Sequence, residues 1–216
     1  MILEVDNIEL RYSEKLILQA VYLKTETSKI TGILGRNGSG KSSLLQIIFG
    51  NISPKYKLIR IDHQPIIKKL YKTGLVTYLP QHHFLPKHLS LHKIFNLYEV
   101  KWDNFTNHFE PLSKHKNAKT KDLSGGEQRI VEIYLILKSK VKITLLDEPF
   151  SNIAPIYIEK IKGLIEQEKQ HKIIMLTDHL YEDVLDLADN IYLLKNRRSI
   201  LISDKKGLEE YGYLTP

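Results

Sequence analysis

Lys29 to Phe49 reads KITGILGRNGSGKSSLLQIIF, and this stretch decides the fold. Its first part, Lys29 to Leu34, is a short apolar run expected to form a buried strand. Its last part, SSLLQIIF, has helical period and meets a stop at Gly50. Between them Gly35 to Ser42, GRNGSGKS, satisfies the pattern G-x-x-x-x-G-K-[ST] in the strand–loop–helix context that the pattern requires. Gly35, Gly38 and Gly40 allow backbone amides to turn toward an anion, with Arg36, Asn37 and Ser39 filling the variable positions. The helix that follows aims its positive end at the same point. Lys41 supplies a point charge for β and γ phosphates, Ser42 a hydroxyl for Mg²⁺, and Ser43 a hydroxyl near the α phosphate. A chance match in a chain of this length is on the order of one in a hundred, so the loop reads as a phosphate site.

Before this unit, Leu3–Leu10 and Leu16–Thr25 read as two antiparallel strands around a turn at Ser13 and Glu14. After it, Lys57–Asp62 and Gly74–Leu79 read as strands, the second ending at Pro80, which cannot donate to a ladder. From His82 the period turns helical, with aromatic and leucine positions in LSLHKIFNLYEV and WDNFTNHF, so an inserted helical subdomain over 82–125 is expected. The rest alternates: a helix over Gly126–Lys138, a strand at VKITLLD, a helix over Ile156–Gln167, a strand at KIIMLTD, a helix over Tyr181–Ala188 and a last strand at IYLLK. Alternation of this kind predicts a mostly parallel sheet covered on both faces. The chain of 216 residues thus reads as one α/β domain, with 1–81 and 126–216 as its core.

Hydrophobic residues at 42% and charged residues at 26% exclude a disordered or collagen-like chain. No cysteine is present, which excludes disulfides and thiolate metal sites and suits the cytosol. No apolar run approaches the roughly 20 residues of a membrane span, and the N-terminus lacks the pattern of a secretory signal. Net charge is +7, with the excess in the middle: Asn51 to Lys121 holds 13 basic residues against four acidic ones. Such a balance fits a solvated face, an anionic membrane surface or nucleic acid. His82, His83, His108 and His115 lack acidic or thiol ligands at matching spacing, so no zinc site is expected.

Two further stretches carry chemistry. Ile143–Glu148, ITLLDE, ends an apolar strand in two carboxylates at the edge of a parallel sheet that faces the ligand crevice. Asp147 there suits an Mg²⁺ ligand, and Glu148 suits the group that polarises an attacking water. Leu123–Glu127, LSGGE, places Ser124, Gly125 and Gly126 at the start of a helix, a second amide-lined anion cradle.

With these motifs the sequence resembles the ATP-binding subunits of ABC transporters over roughly residues 1–200. The resemblance implies a P-loop NTPase fold of the RecA-like kind, with antiparallel N-terminal strands, a parallel core and the inserted helical subdomain. It implies ATP and Mg²⁺ as ligands, with hydrolysis of ATP coupled to transport. It also implies a head-to-tail homodimer, or a heterodimer with another such ATPase subunit, in which Ser124, Gly125 and Gly126 of one copy close on the phosphates held by the other. Integral membrane subunits are the implied partners, and the inner face of the cell membrane, on the cytoplasmic side, the implied location. By the same resemblance Tyr12 stacks on adenine, Gln81 touches Mg²⁺ and the attacking water, and His179 contacts the γ phosphate.

Two departures stand out. Glu127 replaces the usual glutamine of LSGGQ, and Ser151–Pro155 reads SNIAP with Ala154 where an aspartate is usual. LSGGEQRIVEI, LLDEPF and TDH resemble the lipopolysaccharide-export and branched-chain amino acid ATPases. The insert between Gln81 and Leu123 is short for the family. Two other readings stay open: a non-transport ATPase of the same family acting on nucleic acid or ribosomes, and a scaffold that binds ATP with weak hydrolysis. The first usually has paired cassettes or a long inserted coiled coil, which these residues lack.

Overall fold

Alternating apolar residues in the N-terminal stretch build strand β1 (Ile2–Tyr12), which pairs antiparallel with β2 (Lys15–Glu26). The computed structural model describes residues 1–214, so the last two residues assigned above to the core, 215 and 216, lie outside the described residues. Strand β3 (Ile30–Leu34) is buried along its whole length and feeds helix α1 (Lys41–Phe49), which is closed at Gly50 by its N–H on the Gln46 carbonyl. The chain then returns to the first sheet as β4 (Tyr56–Ile61), antiparallel to β1, and ends that sheet with the short β5 (Gln64–Pro65).

Strand β6 (Val76–Leu79) forms one edge of the second sheet, to which β3 also belongs. The insert follows as two seven-residue helices, α2 (Leu91–Leu97) and α3 (Trp102–His108), with 3₁₀ turns over Glu110–His115 and Thr120–Asp122. Helix α4 (Gly125–Lys138), strand β7 (Ile143–Asp147), helix α5 (Pro155–Lys169), strand β8 (Ile173–Thr177), helix α6 (Tyr181–Leu187) and strand β9 (Asn190–Lys195) complete the alternation.

The chain does not stop at β9, which was expected to be the last strand. β10 (Arg198–Ile202) pairs antiparallel with it, and a helix α7 (Lys205–Glu210) follows. The turn between the two strands was hidden because Asn196 and Arg197 both adopt positive φ, 49° and 70°, at positions where glycine is the usual sign.

Two sheets result, β2-β1-β4-β5 and β10-β9-β3-β8-β7-β6, the second parallel except at its β10 edge. Helix α1 lies between them. Its Leu44, Leu45, Ile47 and Ile48 join Leu3, Val5 and Leu23 on one side and Ile33, Leu145 and Met175 on the other. The opposite face of the second sheet, with Leu34, Leu146 and Leu176, packs on α4, α5 and α6. The insert belongs to this second layer, because Phe95, Phe105 and Phe109 cluster around Tyr134 of α4 with ring centroids 5.1–6.3 Å from it.

A close approach in this packing is at Gly32, where an added Cβ would sit 2.6 Å from Val184 Cγ1 and 3.1 Å from Ala188 Cβ. Overpacking a buried contact costs about 1–3 kcal/mol. Gly32→Ala is therefore expected to lower the urea midpoint by that equivalent with the slope unchanged, and an unchanged midpoint would show that α6 is free to shift.

Candidate functional site

The parallel strands deliver their ends to one edge. Leu34 of β3, Asp147 of β7 and Thr177 of β8 terminate side by side, with Asp147 in register with Thr177. The loop that leaves β3 depends on backbone shapes other residues rarely adopt. At Gly35 a Cβ would meet Ser39 Oγ at 2.5 Å and the Leu194 carbonyl at 2.9 Å. Gly40, at φ 101°, starts α1 hard against Leu18 of β2. Between them Lys41 folds its buried ammonium back onto the loop, donating to the Gly35 carbonyl at 2.8 Å and to that of Arg36 at 3.5 Å.

A cleft of about 500 Å³ opens over this loop. Asn37, Gly38, Gly40, Lys41, Ser42 and Ser43 form its floor, and Tyr12, Lys15 and Ile17 one wall. Gln81, Glu148 and His179 form the other. Tyr12 is 49% exposed, so its ring is open to a flat ligand, and its hydroxyl lies 3.4 Å from Ser43 Oγ. Lys15 and Ile17 were not singled out in the sequence, since nothing about a strand lysine or isoleucine announces a cleft.

The carboxylates are held differently. Asp147 accepts from Ser42 Oγ at 2.9 Å and from the Tyr78 hydroxyl at 2.8 Å. Glu148 accepts from Gln81 Nε2 at 2.7 Å, and its other oxygen lies 2.7 Å from His179 Nε2. Its backbone has φ 51°, a strained value for a residue with a side chain, and its N–H donates to the Thr177 carbonyl at 2.7 Å. Asp178, also fully buried, accepts from the N–H groups of Phe150 and Leu180 at 2.8 and 3.0 Å, tying the loop after β7 to the end of β8.

Burial sets the charges. It holds the Asp147 carboxyl above the usual carboxylate range, against the opposing bonds from Tyr78 and Ser42. Asp178 is raised for the same reason, against its backbone donors. Lys41 is pulled below its ordinary value by burial, a shift that Glu148, Asp147 and Asp178 partly oppose. Tyr78 is pushed up by burial and then by Asp147, so it stays a donor.

Three residues that no motif marked organise the surroundings. Tyr78 is one, visible only once β6 is known to pair with β7. The others are Arg129 and Glu132 on α4. The Arg129 guanidinium donates to the carbonyls of Pro80, Asp147 and Glu148 at 2.7, 2.7 and 2.9 Å. Glu132 accepts from the Phe84 N–H at 3.0 Å and lies 3.0 Å from His83 Nδ1. One helix thus grips both the acidic strand end and the segment following Gln81.

Some expected contacts fall elsewhere. Arg36 and Ser39 line a separate cavity of about 340 Å³, together with Asn37, Gly38, Tyr211 and Tyr213. There Arg36 Nη2 donates to the Gly212 carbonyl at 3.3 Å. Neither residue lines the cleft.

Ser124, Gly125 and Gly126 are outside the cleft of their own chain. Ser124 caps α4 in a reciprocal pair with Glu127, its Oγ donating to the Glu127 carboxylate at 2.8 Å and its N–H to the same group at 2.9 Å. Glu127, the departure noted above, therefore acts as the partner in this cap. Ala154 starts α5 without a side-chain cap, a deficit of about 1 kcal/mol relative to aspartate.

Hydroxyl and carboxylate oxygens of Ser42 and Asp147 suit a hard divalent cation, and Gln81 at the rim adds an amide oxygen. The fold and this cleft define a phosphate-loop nucleotide-binding domain. The chain belongs to the ABC transporter family, whose match spans residues 18–151, and it is the ATP-binding cassette of that family.

The branched-chain amino acid transport ATP-binding protein BraG of Pseudomonas aeruginosa is 27% identical, the alignment covering 92% of this chain and 91% of that protein. The lipopolysaccharide export ATP-binding protein LptB of Haemophilus influenzae is 27% identical over 89% and 86%. Among solved structures, an ATP-binding subunit of an ABC transporter superposes with TM-score 0.81 at 19% identity, covering 100% of this chain and 95% of that one. Among the described residues no helix is long and apolar enough to cross a membrane.

Arg129 is 3% exposed and Glu132 fully buried. Arg129→Met leaves three carbonyls without their donor and the buried Glu132 carboxylate without the cation 3.7 Å from it, so a stability loss of about 3–5 kcal/mol is expected in urea unfolding. A loss below 1 kcal/mol would mean water replaces the guanidinium. For Asp147 the folded pKa lies above the unfolded one, so its ionised form destabilises the fold above the folded pKa. That destabilisation fades as pH falls through the folded value. Without nucleotide or metal, Asp147→Asn is expected to raise the denaturation midpoint most at neutral pH, with a shrinking advantage toward the ordinary carboxylate range. A pH-independent difference would contradict burial as the cause.

Proposed function

We propose that this chain hydrolyses MgATP as the motor subunit of an ABC transporter, working in a dimer beneath integral membrane subunits on the cytoplasmic face. The observation that carries this reading is the convergence of Lys41, the loop amides, Glu148, Gln81 and His179 on one cleft. The phosphates of ATP lie on the loop with Lys41 at the β and γ positions, and adenine stacks on the exposed Tyr12. Ser42, Asp147 and Gln81 hold Mg²⁺, which when bound neutralises phosphate charge.

Glu148 accepts a proton from a water as that water attacks the γ phosphorus and the bond to the bridging oxygen of ADP breaks. Gln81 and His179, each 2.7 Å from one of its oxygens, orient that carboxylate. His179 then contacts the γ phosphate. Ser124, Gly125 and Gly126, which lie outside their own chain's cleft, close the site of a second copy of this chain or of a related subunit.

Residues 82–125 are read as an inserted helical subdomain that docks through Phe95, Phe105 and Phe109 on Tyr134 of α4. A groove of about 300 Å³ between α1 and the start of this insert has Phe49, Pro80, Gln81 and His82 at its lining and reaches Ser42 and Asp147; its outer part receives the membrane subunits. Gln81 lines both the groove and the cleft, so a partner seated there acts directly on the residue that steers Glu148.

Glu148→Gln keeps the shape of the side chain and removes the proton acceptor. ATP turnover should fall at least about 10²-fold, and at saturating MgATP the variant should elute from gel filtration as a dimer while the wild type reverts to monomer as ATP is consumed. A variant that stays monomeric under those conditions would exclude the shared-site motor.

A further inference from the structure

Asp62 is the single acidic residue between Asn51 and Tyr98, and that stretch carries eight basic residues. Their placement is uneven. Lys55 and Arg60 are paired with Glu9 and Asp6 of β1, at 3.5 Å each. Lys57, Lys68, Lys69 and Lys72 are exposed and make no ion pair among the described residues. Asp62 does not compensate them, for its carboxylate accepts from the Ile2 N–H at 2.7 Å.

These four lysines form one patch. Lys69 and Leu70 lie against Gly50 at the end of α1, the Lys72 N–H donates to the Lys69 carbonyl, and the positive charge of Lys69 adds to burial in lowering the Lys57 ammonium. Set among them are two side chains a solvated face does not require. Ile67 is 95% exposed and Tyr71 41% exposed. Single exposed hydrophobics are ordinary, whereas an aliphatic tip and a tyrosine inside an uncompensated lysine cluster match the make-up of an interfacial membrane contact.

We infer that the segment Ile66–Lys72, with Lys57, is a contact surface for anionic phospholipid headgroups. The lysines meet the phosphates while Ile67 enters the headgroup boundary. Location supports this occupant. The Tyr71 ring lies 5.5 Å from that of Phe49, and Phe49 lines the groove proposed to receive the membrane subunits, so patch and groove are continuous. The inference deepens the proposed function and rests on its membrane-apposed placement.

Nucleic acid fits less well. The patch has no arginine, and its one aromatic ring is engaged with Phe49 rather than free to stack on a base. Helix α1 separates the patch from the phosphate loop by nine residues, on the order of 13 Å, so headgroup contact and nucleotide chemistry can be altered separately.

The test is co-sedimentation of the full chain with vesicles of phosphatidylcholine alone or with added phosphatidylglycerol. ATP turnover of every variant is measured in parallel. Binding is expected only with phosphatidylglycerol and should weaken as salt rises. Lys68→Glu with Lys72→Glu should reduce it at least about tenfold, Ile67→Ser should reduce it at unchanged charge, and both should leave turnover unchanged. Lys116→Glu with Lys119→Glu, the same charge change in the insert, should bind like wild type.

The inference is overturned if the insert variant loses as much as the patch variant, if no vesicle binds, or if single-stranded RNA binds more tightly than vesicles and is lost in the same patch variant. A wild type that binds vesicles but does not turn over ATP would count against the proposed function and leave the surface standing.

Discussion

Parallel pairing of β3 with β8 and of β8 with β7 is the constraint on which the rest depends. Because the three strands run the same way, their C-terminal ends open on one edge, and whatever residues follow them are forced into proximity. Gly35 and Asp178 follow two of those ends and Asp147 closes the third, so a glycine loop and two acids share a small volume that Ser42 and Tyr78 then bridge to Asp147. Covering both faces of the sheet makes this edge the opening of the layer, with α1 and the antiparallel sheet on one side and α4 to α6 on the other.

That arrangement is electrostatically expensive. Asp147 and Asp178 are buried enough to raise their carboxyl pKa values, and Lys41 is buried enough to lower its own. Each group is unfavourable alone in a low-dielectric pocket; the acids partly relieve Lys41, whereas Asp147 is relieved by its bonds from Tyr78 and Ser42 and Asp178 by its backbone donors. Glu148 adds backbone strain at φ 51°. Stability is set aside at these positions while the surrounding sheet remains apolar, the pattern expected where charge and strain serve chemistry rather than folding.

Arg129 connects the layers. It donates at once to the ends of β6 and β7, through the carbonyls of Pro80, Asp147 and Glu148, from a helix whose first turn begins at Ser124. Movement of α4 therefore reaches both the acid-bearing strand end and the segment after Gln81, which Glu132 holds through Phe84. The helix carrying the second glycine cradle is mechanically joined to the first site, though its own cradle lies outside that site.

The sequence by itself determined the strand–loop–helix unit, the acidic strand, the capped helix at LSGGE and the alternating order of the core, because each is a local pattern of period, glycine placement or capping. It did not show Tyr78, Arg129, Lys15 or Asp178 as parts of the site, since a tyrosine in a strand or an arginine in a helix acquires meaning from its partners across space. It also missed β10, whose turn uses Asn196 and Arg197 without glycine. Only the tertiary structure decided that Arg36 and Ser39 line another cavity than the cleft, that Glu127 serves the helix cap, and that Ser124 lies outside its own chain's site. Side-chain direction is set by the packing of neighbouring elements, and that information is spread over residues distant in the chain.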